Sequence, residues 1–279
     1  MSKLIFLDGA FGTRIWDKTG ESKPVWIYNI LRPDVIREVT EEYILAGAQI
    51  VQANTFGANR ITVEKSSDYS VEEVVSAAVR IAKEAVRGTE VKVSLSSGPL
   101  TQMMKPYGDL KEEEVAEIYD EVFCAGIREG ADIIQLETFI DLEMLRVAAT
   151  EAKKYGVPVF CTMSFEKFGR TIFGNSVEDM AKKMGELGVD AIGLNCSLGP
   201  DKAVPVMKKF VAATELPLVF KPNAGLPVMN ADGNMVSSYT KEDFVREVAD
   251  IVPFLSYIGG CCGTDPSYIA LLKETYAQD

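Results

Sequence analysis

"VDAIGLNCSLGP" spans Val189–Pro200 of the 279-residue chain. Its first half is apolar at both alternating positions, the pattern of a strand buried on both faces in a parallel sheet covered by helices. The run stops at Asn195 and Cys196, and Pro200 stands where a helix can begin, because proline is tolerated in the first helical turn. A strand, a short polar turn and a helix start make one βα unit. The same grammar recurs in "KLIFLD" (3–8), "AQIVQAN" (48–54), "VKVSLSSG" (91–98), "ADIIQLETF" (131–139), "PVFCTMSF" (158–165), "LPLVFKPN" (216–223) and "FLSYIGG" (254–260).

Between these runs the period changes to that of a helix. Over Val71–Arg87 the apolar residues 71, 74, 75, 78, 82 and 85 form one stripe, and Val115, Ile118, Tyr119 and Val122 do so within Lys111–Glu129 behind a Glu-rich first turn that suits the helix dipole. Pro33, Pro200 and Pro266 stand at helix starts, and Asp141, Ser176 and Thr240 are candidate N-caps. Eight strands and eight helices, evenly spaced with no linker, predict an α/β fold: a single (β/α)8 TIM-type barrel domain over 1–279. The rival, a doubly wound sheet, usually shows a Gly-rich turn after its first strand, and "DGAFGT" (8–13) does not fit G-x-G-x-x-G.

Composition narrows the function. The net charge of −12, from 29 basic and 41 acidic residues, excludes nucleic acid or an anionic membrane as main partner, since phosphate binding needs clustered Lys and Arg. No apolar stretch approaches a membrane span, and Asp8 interrupts the N-terminus too early for a signal peptide, so a cytoplasmic location is expected. Five cysteines, an odd number, do not read as a secreted disulfide framework. The chain has no histidine, which removes imidazole both as a general base and as a metal ligand.

In a (β/α)8 barrel the chemistry sits where strands end. Those ends carry Asp8 and Gly9, Asn54 and Thr55, Ser97 and Gly98, Glu137 and Thr138, Ser164, Asn195 and Cys196, Asn223, and finally Cys261 and Cys262. The adjacent Cys261–Cys262 pair is a poor disulfide, because neighbouring Cα atoms are about 3.8 Å apart and ordinary disulfides need roughly 4.4 Å or more. A strained redox switch, a chance pair of buried thiols, and two ligands to one metal are the readings of the doublet alone. With Cys196 converging on the same mouth, three thiolates and one open position match a catalytic zinc site. Cys124, in a helix, and Cys161, inside a strand, read instead as small buried hydrophobes. Zinc held by three thiolates would carry a formal charge of −1, so a substrate thiol bound as fourth ligand would be deprotonated and electron-rich without any histidine base. That chemistry suits group transfer to a thiol better than hydrolysis.

"LDGAFGT" (7–13), "NTFGANR" (54–60), "GLNCSLGP" (193–200), "KPNAGLP" (221–227) and "GGCCGT" (259–264) resemble the homocysteine S-methyltransferase family over essentially the whole chain. Within it, the likeness is closest to the homocysteine-binding barrel of the cobalamin-dependent methionine synthases. The resemblance implies Cys196, Cys261 and Cys262 as ligands of Zn2+, with Asn223 as an exchangeable fourth ligand that homocysteine displaces. It implies that the Asp8–Gly9–Ala10 loop receives the amino-acid end of homocysteine and that Glu137 pairs with its ammonium. For Glu137 a solvated or ion-paired structural role is the alternative. Asn54 and Asn195 stand between a supporting hydrogen-bond role and plain turn chemistry.

The implied reaction is methyl transfer to the homocysteine thiol, giving methionine. Family members with a cobalamin module hold cobalt through a histidine that these residues lack, so the expected donor is a methyl-corrinoid protein in trans, docking near Gln102–Tyr107 and Asn223–Asn230. "SSGPLTQMMKPYG" (96–108) departs from the family pattern and gives the 99–107 loop a donor face of its own. S-methylmethionine, S-adenosylmethionine and betaine are the rival donors. A non-catalytic zinc- or thiol-binding barrel that docks on a partner is the rival of another class.

Overall fold

Each predicted apolar run forms a strand in the computed structural model, which describes residues 3–229 and 235–277. Numbering them by position around the barrel, the strands are Ile5–Phe6, Ile50–Ala53, Lys92–Ser97, Ile133–Phe139, Val159–Met163, Ala191–Asn195, Leu218–Lys221 and Tyr257–Ile258. All neighbours are parallel, and each strand from the second to the seventh pairs with the next in sequence. Tyr257 and Ile258 of the eighth bridge the seventh and the first. A parallel bridge between Leu7 and Ile50, beside a hydrogen bond from the Gln49 N–H to the Phe6 carbonyl (2.7 Å), closes the ring between first and second strands. That closure decides for the barrel over an open doubly wound sheet.

Eight outer helices follow the eight strands: Pro33–Leu45, Val71–Ala85, Glu112–Arg128, Leu142–Ala152, Val177–Leu187, Pro200–Ala213, Lys241–Val248 and Pro266–Tyr276. The helical stripe read from sequence is the buried one, with Val71, Val74, Val75, Ala78 and Ala82 inside. Pro33, Pro200 and Pro266 open their helices, and the Asp141, Ser176 and Thr240 side chains accept from the N–H groups of Glu143, Asp179 and Asp243. Three connections hold more than the sequence periodicity predicted. Helices Phe11–Thr19 and Tyr28–Leu31 lie in the first and Arg60–Ser66 in the second, and a two-stranded hairpin (Pro227–Met229 with Met235–Ser237) follows the seventh strand. These pieces are short, and they serve the mouth of the barrel rather than a long core stripe.

Inside the ring, Leu7, Ile50, Ile133, Phe160, Ala191 and Val219 form a separate apolar cluster with Ile5 and Tyr257. The Phe160 and Tyr257 rings meet across it with centroids 4.5 Å apart. Side chains on a strand alternate between faces, so residues two and four further on also point inward. The inward series read Ile50–Gln52–Asn54, Ile133–Gln135–Glu137, Phe160–Thr162–Ser164, Ala191–Gly193–Asn195 and Val219–Lys221–Asn223. The barrel interior thus grades from an apolar plug to a polar middle layer and then to the mouth.

Candidate active site

The mouth has a thiol corner and a carboxylate corner. In the first, Cys196 leaves the sixth strand with φ 60, and Ser197 follows with φ 59, both in the left-handed region that costs side-chain-bearing residues of order 1–3 kcal/mol. The bend is held by hydrogen bonds from the Cys196 N–H to the Lys221 carbonyl (3.1 Å) and from the Leu198 N–H to the Cys196 carbonyl (2.7 Å). On the eighth-strand turn, the Cys261 N–H donates to the Pro222 carbonyl (2.9 Å), and the Cys262 carbonyl accepts from the Ala224 N–H (3.0 Å). Gly263 completes that turn at φ 81, where a Cβ would stand 2.4 Å from the Ser237 hydroxyl oxygen, so glycine is required there.

These turns bring the Cys196, Cys261 and Cys262 sulfurs within 4.8 Å of one another, with Cys196 and Cys262 Sγ 3.8 Å apart. Four sulfurs around a zinc at about 2.3 Å would be about 3.8 Å apart, so the spacing suits a single ion. The Asn223 Oδ1, on the seventh-strand end, is buried and finds no hydrogen-bond partner among the described residues. A buried oxygen beside such a cluster needs a partner, and a cation would supply one. Three thiols and this orphan oxygen fit a metal centre that these residues could hold. Hydrogen bonds from Cys261 and Cys262 lower the Cys196 thiol to about 3, while the interaction with Cys196 raises Cys262 to about 11 and Cys261 well above its usual range.

Asn195 stands behind this corner, fully buried. Its Oδ1 accepts from the Thr138 N–H and the Thr162 hydroxyl, both at 2.7 Å, while its Nδ2 donates to Thr138 Oγ1 (2.8 Å) and faces Cys261 Sγ at 3.9 Å. Thr138 has φ 64, so Asn195 also fixes a strained residue adjacent to Glu137. Asn54 lines the cavity, but its amide is committed to the Val25 carbonyl and Asn29 Oδ1, both at 2.8 Å, which ties the first and second strand-end loops together.

In the carboxylate corner, Glu137 is almost wholly buried and lines the cavity. Its Oε1 accepts from Gln52 Nε2 and the Ser96 hydroxyl, and its Oε2 from Gln135 Nε2 at 3.4 Å. Burial raises its pKa, opposed by the Lys221 ammonium and the Ser96 hydrogen bond. The structure sets Asp8 in the wall behind the cavity rather than at its surface. Its carboxylate receives the Gln52 N–H (2.6 Å) and Lys221 Nζ (2.9 Å), the latter a fully buried ion pair. Gly9 and Ala10 do line the cavity, and Gly9 packs where a Cβ would stand 2.7 Å from Thr264 Oγ1.

Both corners open into one cavity of about 700 Å³, lined also by Phe11, Trp16, Trp26 and Phe56 from the extra helices and loops. Strand-end logic misses Lys221, Gln52 and Ser96. They sit two residues deeper or on a neighbouring strand, and the period-two series ending in Asn223 and Asn54 is the signal that points to them. Met103 and Tyr107 of the 99–107 loop are exposed, Met104 packs inside, and Tyr107 meets Phe173 edge-on at 5.5 Å. The expected docking stretch 223–230 ends at Asn230, outside the described residues. Cys161 is buried, as expected, but Cys124 is half-exposed on its helix with Arg128 3.5 Å from its sulfur, because its side chain falls at the edge of the buried stripe. No helix among the described residues is long and apolar enough to cross a membrane.

The chain is 31% identical over 295 residues to a methionine synthase of Mycobacterium leprae and 31% identical over 286 residues to that of Mycobacterium tuberculosis. Those alignments cover 97% and 94% of this chain but only 24% of each relative, so the chain spans about a quarter of their length. The fold matches the metallated form of the homocysteine methyltransferase MmuM from Escherichia coli with a TM-score of 0.80 at 21% identity, over 98% of this chain and 96% of that one. The oxidized form matches with a TM-score of 0.82 at 20% identity, over 98% and 96%. The family model for homocysteine S-methyltransferase matches residues 5–276, and the chain belongs to that family.

Proposed function

We propose that this barrel transfers a methyl group to the thiol of homocysteine, giving methionine, with zinc on Cys196, Cys261 and Cys262. The observation that carries the reading is the meeting, in one cavity, of a three-sulfur cluster with a buried carboxylate. When bound, zinc supplies a Lewis-acid centre that keeps a substrate thiol ionised near neutral pH. The chain's residues do the rest. Asn195 orients Cys261 and the Thr138 backbone, and Asn223 offers an oxygen that a substrate sulfur can replace. The Gly9–Ala10 backbone faces the substrate carboxylate, and Glu137 accepts from its ammonium. An amino-acid thiol is thereby held at both ends, with sulfur toward the cysteines.

The donor we propose is a methyl-corrinoid protein presented at the mouth, where Met103, Tyr107 and Leu226 are exposed. Two reacting atoms must come within roughly 3–3.5 Å, so the donor has to reach into the cavity rather than rest on its rim. The test is turnover of homocysteine with methylcobalamin, methylated corrinoid protein, S-methylmethionine, S-adenosylmethionine and betaine, with zinc measured on the same preparation. Methylation from the corrinoids is expected. Efficient turnover of a small donor without corrinoid activity would overturn the donor assignment, and zinc binding without any turnover would favour a thiol-binding module.

A further inference from the structure

We infer that Lys221 is a specificity-determining residue, which through Gln52 sets Glu137 as a fixed acceptor for the ammonium of an α-amino thiol. The inference rests on the proposed function and adds to it the part of the wall that selects the amino group.

Hydrogen-bond polarity dictates the arrangement. A lysine ammonium only donates. Lys221 Nζ lies 2.9 Å from Asp8 Oδ1 and 3.0 Å from Gln52 Oε1. The two ends of an amide are normally hard to tell apart, but an obligate donor facing one end settles the question here. The oxygen of Gln52 must face Lys221, so its Nε2 must face Glu137, and it does. The Gln52 amide cannot be turned over without setting N–H against ammonium. Glu137 Oε1 therefore meets two donors, Gln52 and Ser96, which leaves Oε2 with one long contact from Gln135 and the cavity beside it.

Charge points the same way. Asp8 and Lys221 cancel as a pair, while Glu137 brings a further buried carboxylate with no cation of its own within salt-bridge distance among the described residues. A buried charge without a partner is costly, and the ammonium of an amino acid supplies the partner. Remove Lys221, and Gln52 is free to rotate and present its oxygen to Glu137. That oxygen favours a Glu137 protonated on Oε1, which leaves Oε2 a neutral carbonyl, a weaker acceptor for the substrate ammonium than a carboxylate.

The experiment compares two thiols that differ only by the amino group. Binding of L-homocysteine and of 4-mercaptobutanoate is measured by calorimetry on zinc-loaded wild type, Lys221→Met and Gln52→Met, with zinc per chain recorded for each. Wild type should prefer homocysteine. Both variants should lose roughly 10–100-fold in homocysteine affinity, as for a hydrogen bond to a charged group. Their affinity for 4-mercaptobutanoate should stay within about threefold, with zinc unchanged. Gln52→Met keeps the Asp8–Lys221 pair, so it decides the matter if Lys221→Met does not fold. Equal weakening of both thiols, or an unchanged preference, overturns the inference while leaving homocysteine as substrate. A wild type that binds neither thiol overturns the proposed function and the inference together.

Discussion

The two corners of the mouth are built in opposite ways. The three sulfurs sit on turns, three positions there (Cys196, Ser197 and Gly263) use left-handed backbone, and Cys262 is exposed. The Asp8–Lys221–Gln52–Glu137 set is buried in the barrel wall, with Gln52, Lys221 and Glu137 on strands and every member hydrogen-bonded. Sites on regular elements are held more exactly than sites on loops. The carboxylate corner is thus held by regular elements and a closed hydrogen-bond set, while the thiol corner rests on turns.

If the corners are separate devices, substitutions should divide cleanly between them. The largest effect is expected at the sulfurs. Cys261→Ala should lower zinc affinity by more than about 100-fold, beyond what supporting residues cost, and take turnover to background, whereas Cys161→Ala should keep its metal. Metal analysis after dialysis against a weak chelator reads this, and full zinc retention in Cys261→Ala would dissolve the thiol corner. Next comes Glu137→Gln, which should weaken homocysteine by roughly 1.5–3 kcal/mol with zinc intact, read by calorimetry. Loss of zinc in that variant would join the two corners into one. Asn195→Ala touches both, through Cys261 and Thr138, and should cost about 10-fold in zinc affinity.

Acidity separates the corners further. The Glu137 pKa is raised by burial, and its ionised form is the one that pairs with an ammonium. Homocysteine affinity should therefore fall with decreasing pH, beginning above the ordinary glutamate value of about 4.3, while 4-mercaptobutanoate shows no such dependence from this group. An affinity titration of both thiols between about pH 5 and 8 would show it, and parallel curves would count against Glu137 as ammonium partner. The smallest effect belongs to Cys124→Ala, at a half-exposed helical position away from the mouth, expected within about 0.5 kcal/mol of wild type by thermal unfolding.

The barrel was legible because two-sided apolar runs at regular intervals, each followed by a helical stripe, fit few architectures besides a ring of parallel strands, and each run is a strand here. The sulfurs were legible because cysteines in glycine-rich strand-end turns make little sense as core. Lys221 was not, since one lysine in "LPLVFKPN" looks like the end of a strand meeting water. Only the closed ring shows that an inward residue at that depth faces Asp8 and Gln52 instead. The loop helices escaped for a different reason. Segments such as Arg60–Ser66 span barely two turns, too short for a periodic stripe to stand out. Asp8 shows the limit of strand-end logic, because its carboxylate turns into the wall while the backbone after it faces the cavity.

The closure of the ring also governs how the protein breathes. The first and eighth strands are two residues long, against six and seven for the third and fourth, and the first meets the second through a single bridge. Short ladders open locally at low free-energy cost. The loop bearing Gly9 and the turn bearing Cys261 and Cys262 both hang from this seam, so its local opening would shift two sides of the cavity together. Amide hydrogen exchange should be fastest along Ile5–Leu7 and Tyr257–Gly260 and slowest near Leu95 and Leu136. Loading with zinc should slow the eighth-strand amides, since an ion shared with Cys196 would stitch the seam to the sixth strand.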